Sequence, residues 1–134
     1  MTEIQKNYQV MEIGMLSAMT EKGRAEVGDA LGLTGCELSI NCLAPEKGSA
    51  FAHTHKENEE VYLILKGSGI FYVDGEEFPI QEGSLVRVDP AGMRAMKAGG
   101  EELLYICIQA RQGSLRQKTF GDGVVNHDVK TSWL

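Results

Sequence analysis

The chain has little of what would take it out of the ordinary globular class. Three prolines, three cysteines, three histidines and one tryptophan occur among 134 residues, and aromatics make up only 7%. The cysteine number is odd, and Cys36 and Cys42 fall on one face of an apparent strand. At roughly 3.3 Å per residue they lie about 20 Å apart there, too far to bridge. With no Cys-x-x-Cys spacing and no neighbouring His, they read as buried thiols in a reducing compartment. Nowhere do eighteen apolar residues occur together, which excludes a membrane helix. The start MTEIQKNYQV lacks the basic and then apolar run of a secretory leader. A soluble, cytoplasmic protein is expected. Cations are also short, 13 Lys and Arg against 19 Asp and Glu for a net charge of −6. Phosphate backbones and anionic lipid are therefore poor default partners, and neither nucleic acid nor membrane is expected.

What is present is a 43% hydrophobic chain with 16 glycines. That apolar fraction supports a true core without disulfide staples. At roughly 100–200 residues per domain, residues 1–134 leave room for one domain. The glycines fall between short apolar runs, which is the punctuation of an all-β domain. Residues Tyr8 to Ile13 read as a short strand. Thr20 to Leu31, with a plausible N-cap and an acidic first turn, reads as a short helix weakened by Gly23 and Gly28. After Gly35 the period becomes two. Cys36, Leu38, Ile40 and Cys42 alternate with Glu37, Ser39 and Asn41, the pattern of a half-buried strand.

Further strands are expected at Glu60–Lys66, Gly69–Val73, Phe78–Ile80, Ser84–Val88 and Leu103–Ala110. Asp74-Gly75 suits a two-residue hairpin turn. Short strands at this spacing predict a sandwich or barrel over about residues 36–110. Residues 1–35 then form an N-terminal strand and helix, and 111–134 a polar, irregular tail. A tail ending near a lone tryptophan, Trp133, is expected to dock on its own domain or on a partner subunit.

The chemistry concentrates in Gly48-Ser-Ala-Phe-Ala-His53-Thr-His55-Lys-Glu-Asn-Glu-Glu60. In an extended chain residues i and i+2 point to one side, so His53 and His55 present two imidazoles to one volume. If the strand opened by Glu60 pairs back on the first, its carboxylate joins them, and two His with one carboxylate make a divalent-metal site with open positions. Glu59 is the alternate ligand if the register shifts by one. Glu57 reads as a rim charge.

This stretch resembles the first motif of the cupin superfamily: a leading Gly, His-x-His, three or four residues, Glu, six residues and Gly. Here those are His53, His55, Glu60 and Gly67, with Gly48 one residue closer than usual. The second motif is Gly, five to seven residues, Pro-x-Gly, two residues and His. It reads Gly83, six residues, Pro90-Ala91-Gly92, two residues and Ala95, so everything matches except the final ligand.

The resemblance implies a cupin double-stranded β-helix: a jelly-roll-like barrel of two antiparallel sheets, dimeric in many relatives, with a central ligand cavity. It further implies a metal on His53, His55 and Glu60, and two readings follow from Ala95. Either the three ligands still hold Zn, Fe, Ni or Mn, or the cavity binds an organic ligand without metal. Arg94, beside the missing ligand, is the foremost candidate to clamp an anionic group, ahead of Lys66, Arg87 and Lys97. Tyr62, Tyr72, Tyr105 and Gln109 alternate on strands and are candidates to line the cavity. Met93 and Met96 read as core or pocket lining, and His127 as surface. The reading is a cytoplasmic homodimer binding a divalent metal and a small organic ligand. One alternative is a metal-dependent sugar-phosphate isomerase, epimerase or dioxygenase; another is a metal-free binding or dimeric interaction domain.

Overall fold

Alternating side chains and turn-forming dipeptides lay out eight strands in the computed structural model, which describes residues 7–134. Residues 1–6, part of the expected N-terminal strand and helix segment, lie outside the described residues. The strands are β1 (Arg24–Glu26), β2 (Glu37–Leu43), β3 (Asn58–Lys66), β4 (Ser68–Val73), β5 (Glu76–Gln81), β6 (Leu85–Val88), β7 (Arg94–Ala98) and β8 (Leu103–Arg111). All pairings are antiparallel, in a five-stranded sheet ordered β1-β2-β8-β3-β6 and a three-stranded sheet ordered β5-β4-β7. This is the all-β barrel of two antiparallel sheets that the resemblance implies.

Local chemistry explains the turns. Val73 pairs with Glu76 across Asp74 (φ 49°) and Gly75 (φ 91°), the left-handed pair that a two-residue hairpin needs. Pro79 has no N–H to donate, and β5 carries it on a sheet edge. Gly67 turns the chain between β3 and β4 at φ 90°, where any Cβ would press into the Glu102 carbonyl.

Three expectations are corrected. Tyr8–Ile13 forms no strand. The single helix of residues 20–31 is instead α1 (Met19–Lys22), then β1, then α2 (Gly28–Leu31). Gly23, at φ 73°, ends α1, and residues 24–26 gain ladder hydrogen bonds on the edge of β2 that a helix would forgo. Strand β7 has no counterpart in the sequence reading. Its sequence Arg-Ala-Met-Lys-Ala contains no β-branched residue, and its inward series starts with an arginine.

Two apolar clusters hold the layers. Inside the barrel Ile64, Phe71, Ile80, Val88, Met96 and Leu103 pack together. Outside the five-stranded sheet, Met19 of α1 packs on Cys42 and Leu104 with Ile13 and Ile40. Strand β2 is therefore buried on both faces. Its apolar face lies under the N-terminal segment, while Ser39 and Asn41 are buried on the face that Tyr105 and Cys107 share across the ladder. The C-terminal tail does not dock on its own barrel: Trp133 is 80% exposed and Val124 94%.

Candidate metal and ligand site

Strand β3 carries Glu60, Tyr62 and Ile64 on its buried face. The register Glu60↔Gln109 and Tyr62↔Cys107 sets Gln109 and Cys107 beside them on β8. Residues 48–55 reach the same volume from the opposite layer. They form no regular strand and are stapled to β7 by backbone bridges Gly48↔Lys97 and His53↔Arg94. The His55 N–H donates to the Pro90 carbonyl at 2.9 Å. The expected pairing of the histidine segment with the Glu60 strand is thus corrected. Glu60 meets the imidazoles across the barrel, from β3 in one sheet toward a segment held on β7 in the other.

His53 Nε2 lies 3.5 Å from Glu60 Oε1, and His55 Nε2 lies 3.4 Å from Glu60 Oε2. The rings are 5.0 Å apart and nearly perpendicular, at 88°. One donor atom from each of the three residues lies within 4.8 Å of the others. His55 Nε2 is buried without a hydrogen-bond partner, and desolvation lowers the pKa of His53, which favours the neutral imidazole that a metal needs. These residues fit a divalent ion. Glu59 belongs to the outer side with Arg87 and Val61, which leaves Glu60 as the carboxylate of the group. His127 is exposed in the tail and lies outside this group.

The surroundings of Glu60 differ from the sequence reading. Its Oε1 accepts from the Tyr62 hydroxyl at 2.6 Å and from Arg94 Nη1 at 2.5 Å, and its Oε2 accepts from the Cys107 thiol at 3.1 Å. Burial alone would raise the pKa of this carboxyl. The Tyr62, Cys107 and Arg94 hydrogen bonds more than reverse that and hold it at about 2. Burial, with Glu60 alongside, pushes Cys107 up to about 12 and raises Tyr62 further, so both remain protonated donors.

Arg94 is 1% exposed. Its other hydrogen bonds run from Nε to the Gly92 carbonyl at 3.0 Å and from Nη2 to the Asp89 and Pro90 carbonyls at 2.6 and 3.4 Å. The expectation of a guanidinium waiting for a ligand's anion is corrected, because the fork is spent on Glu60 and the Asp89–Gly92 turn. The buried residues of β7 are Arg94, Met96 and Ala98, while the half-buried Ala95, paired with Tyr72, borders both the cavity and the outer depression beside Tyr72. Arg94, the residue before the second-motif ligand position, is the one that meets Glu60.

A cavity of about 500 Å³ opens over this group. Tyr62 and Gln109 line it as expected, Tyr62 through a phenol already given to Glu60, and Gln109 while accepting from Asn58 Nδ2 at 2.9 Å. Tyr72 does not line it. It borders a separate open depression on the outer face with Ile70 and Lys97. Five lining residues escaped the sequence reading: Arg24, Cys107, Ser49, Phe51 and Phe71. No spacing rule connects the first two to the histidines, since Arg24 arrives through β1 and Cys107 through β8.

The model of the Cupin domain matches residues 40–108. The chain belongs to the cupin family. It is similar to a cupin protein from Bacteroides fragilis, 41% identical, with 91% of this chain and 99% of that one covered and a TM-score of 0.83. A double-stranded β-helix protein from Klebsiella pneumoniae shares the fold at 13% identity, covering 78% and 94% of the two chains with a TM-score of 0.64. An uncharacterized protein of Methanocaldococcus jannaschii is 31% identical over 48 residues, 36% of this chain. The cupin thus spans 38% of the length of that curated relative. Among the described residues no helix is long and apolar enough to cross a membrane.

Proposed function

We propose that this cupin is a single-domain, cytoplasmic, homodimeric protein whose cavity binds a divalent metal ion on His53, His55 and Glu60 and a small organic ligand beside it. The observation that carries the reading is the buried, unpartnered His55 Nε2, 3.4 Å from a carboxylate held ionised and within 4.8 Å of a second imidazole. An imidazole nitrogen buried in that way is stabilised by a proton or a metal, and Zn, Fe, Ni or Mn all accept this donor set. When bound, such an ion supplies a Lewis acid that polarises a ligand oxygen. The protein's own part is to fix the donors: Tyr62 and Arg94 hold Glu60 Oε1, and the Cys107 thiol holds Oε2 where it faces His55.

Metal content of protein purified without an affinity tag, compared with His53→Ala and His55→Ala, tests this. Near one ion per chain, lost in both variants, is expected. Sub-stoichiometric metal unaffected by either change refutes it. The metal-free reading draws on a different observation: the Arg94 guanidinium already supplies Glu60 with a positive partner at 2.5 Å. Turnover of sugar phosphates or keto acids would favour the enzyme alternative, while a rise in melting temperature without turnover favours a binding protein. The homodimer is supported by the exposed apolar tail residues Leu115, Phe120, Val124 and Trp133. Light scattering should give twice the chain mass, and removal of residues 112–134 should lower it.

A further inference from the structure

The cavity is less acidic than the chain around it. Its charged lining is Arg24, Arg94 and Glu60, together with the two imidazoles. Glu60 and Arg94 neutralise each other, and both are almost inaccessible. Arg24 is the remaining fixed charge of the lining, and its carboxylate partner, Glu26, lies outside the cavity on the exposed rim. Arg24 stands on β1, in the N-terminal segment that precedes the family-matched residues 40–108. Pairing of Arg24 with Asn41, and of Asn41 with Tyr105, carries it to the cavity.

Two contacts aim the guanidinium. Its Nη1 donates to Asn41 Oδ1 at 3.0 Å, and Asn41 is itself buried and donates to the Ser39 hydroxyl at 2.9 Å. Its Nε donates to Glu26 Oε1 at 3.1 Å on the exposed rim. Half of the side chain remains open to solvent. Its charge also reaches the interior: burial raises Tyr105 and Cys107 to about 12 each, and Arg24 pulls against that rise at both. Opposite it, Phe51, Phe71 and Met96 give the cavity apolar walls.

We infer that the cavity takes a small organic acid whose carboxylate pairs with Arg24 at the mouth while its carbon skeleton lies against Phe51 and Met96. This rests on the reading that the cavity binds a small ligand, and gives that ligand a chemical class. The planar guanidinium fork matches a carboxylate in two parallel hydrogen bonds, which a neutral amide of the same shape cannot reproduce. With the whole chain at −6, an anion enters only where a local cation draws it.

Calorimetric titration of the full chain with succinate, glutarate and 2-oxoglutarate, against succinamide, glutaramide and inorganic phosphate, tests the assignment. Each is run on metal-free and Mn²⁺-loaded wild type, Arg24→Gln and Arg24→Lys. At least one acid should bind wild type about tenfold or more tightly than any diamide, a difference of about 1.4 kcal/mol. Arg24→Gln should lose that preference and Arg24→Lys keep part of it. Both variants should fold without ligand and melt somewhat below wild type, because the buried Asn41 Oδ1 loses or weakens its hydrogen bond from residue 24. Binding of no acid above the diamides, full acid binding by Arg24→Gln, or phosphate binding more tightly than every carboxylate overturns it. Arg24-dependent acid binding that persists in protein unable to hold Mn²⁺ refutes the metal reading and leaves this one standing. Mn²⁺ uptake without any acid preference does the reverse.

Discussion

The two ends of the barrel interior are built by the same strands and behave as different media. On β3 the buried face runs Glu60, Tyr62, Ile64, and on β7 Arg94, Met96, Ala98. On β8 it runs from Gln109 through Cys107 and Tyr105 to Leu103. Each strand thus passes from polar to apolar within a few residues. At the closed end Ile64, Phe71, Ile80 and Leu103 exclude water and need no partners. At the open end every buried polar group needs one, and Glu60 has three donors. Glu60 and Arg94 are nearly as inaccessible as Ile64 and Leu103, so burial alone does not tell core from site. The donor count does.

Single changes at either end should separate the two. Phe71→Ala leaves a cavity at a fully inaccessible position and should cost about 3–5 kcal/mol in urea unfolding. Arg94→Met strands a buried carboxylate and should cost a similar 3–5 kcal/mol at pH 7. The difference lies in rescue and in pH. Adding Glu60→Gln should recover part of the Arg94→Met loss and none of the Phe71→Ala loss. The Phe71→Ala cost should be the same at pH 3 and pH 7. The Arg94→Met cost should shrink at pH 3, where the stranded carboxylate can take a proton. Equal pH dependence of the two would mean that the ends do not differ in kind.

The next largest effect is acid sensitivity. Glu60 is depressed from 4.5 to about 2 in the folded protein, so its contribution is full above the unfolded value and is lost as pH falls from about 4.5 toward 2. At about 1.4 kcal/mol per unit, the loss is about 3 kcal/mol. His53, lowered chiefly by desolvation, adds in the same direction once pH falls below 6.5. Glu60→Gln should flatten the stability curve between pH 4.5 and 2, and a slope unchanged by that substitution would place the acid-sensitive group elsewhere.

Legibility in the sequence followed the same division. Strand β2 was readable because apolar and polar side chains alternate in it, strands β3, β4, β5, β6 and β8 because they are short apolar runs between turn residues, and the β4–β5 hairpin because Asp74-Gly75 takes the left-handed turn. The grouping of His53, His55 and Glu60 was readable from spacing, although their route together, across the barrel, was not. Counting along the second motif points to Ala95, but only the bridge His53↔Arg94 fixes the pleat, and it turns Arg94 inward. Strand β7 was hidden for a related reason, since a buried arginine breaks the apolar alternation. Arg24 and Cys107 reach the cavity through pairings of β1 with β2 and of β8 with β3. Such long-range contacts leave no local pattern.

The smallest effect sharpens the boundary between the two ends, because Tyr62 belongs to both. Its ring packs on Phe71 with centroids 5.1 Å apart, inside the apolar cluster, while its hydroxyl donates to Glu60 Oε1 at 2.6 Å. Tyr62→Phe keeps the ring and removes one of three donors to a buried carboxylate. A hydrogen bond to a charged group contributes about 1.5–3 kcal/mol, and Arg94 still holds the same oxygen, so a loss near 1.5 kcal/mol is expected. The acid midpoint should also move up, since a weaker donor set lets Glu60 take its proton at higher pH. Tyr62→Leu should add the loss of ring packing on top, with no further shift in that midpoint. If Tyr62→Phe leaves the midpoint in place while Tyr62→Leu moves it, the ring's exclusion of water keeps Glu60 ionised, and the phenol donor does not.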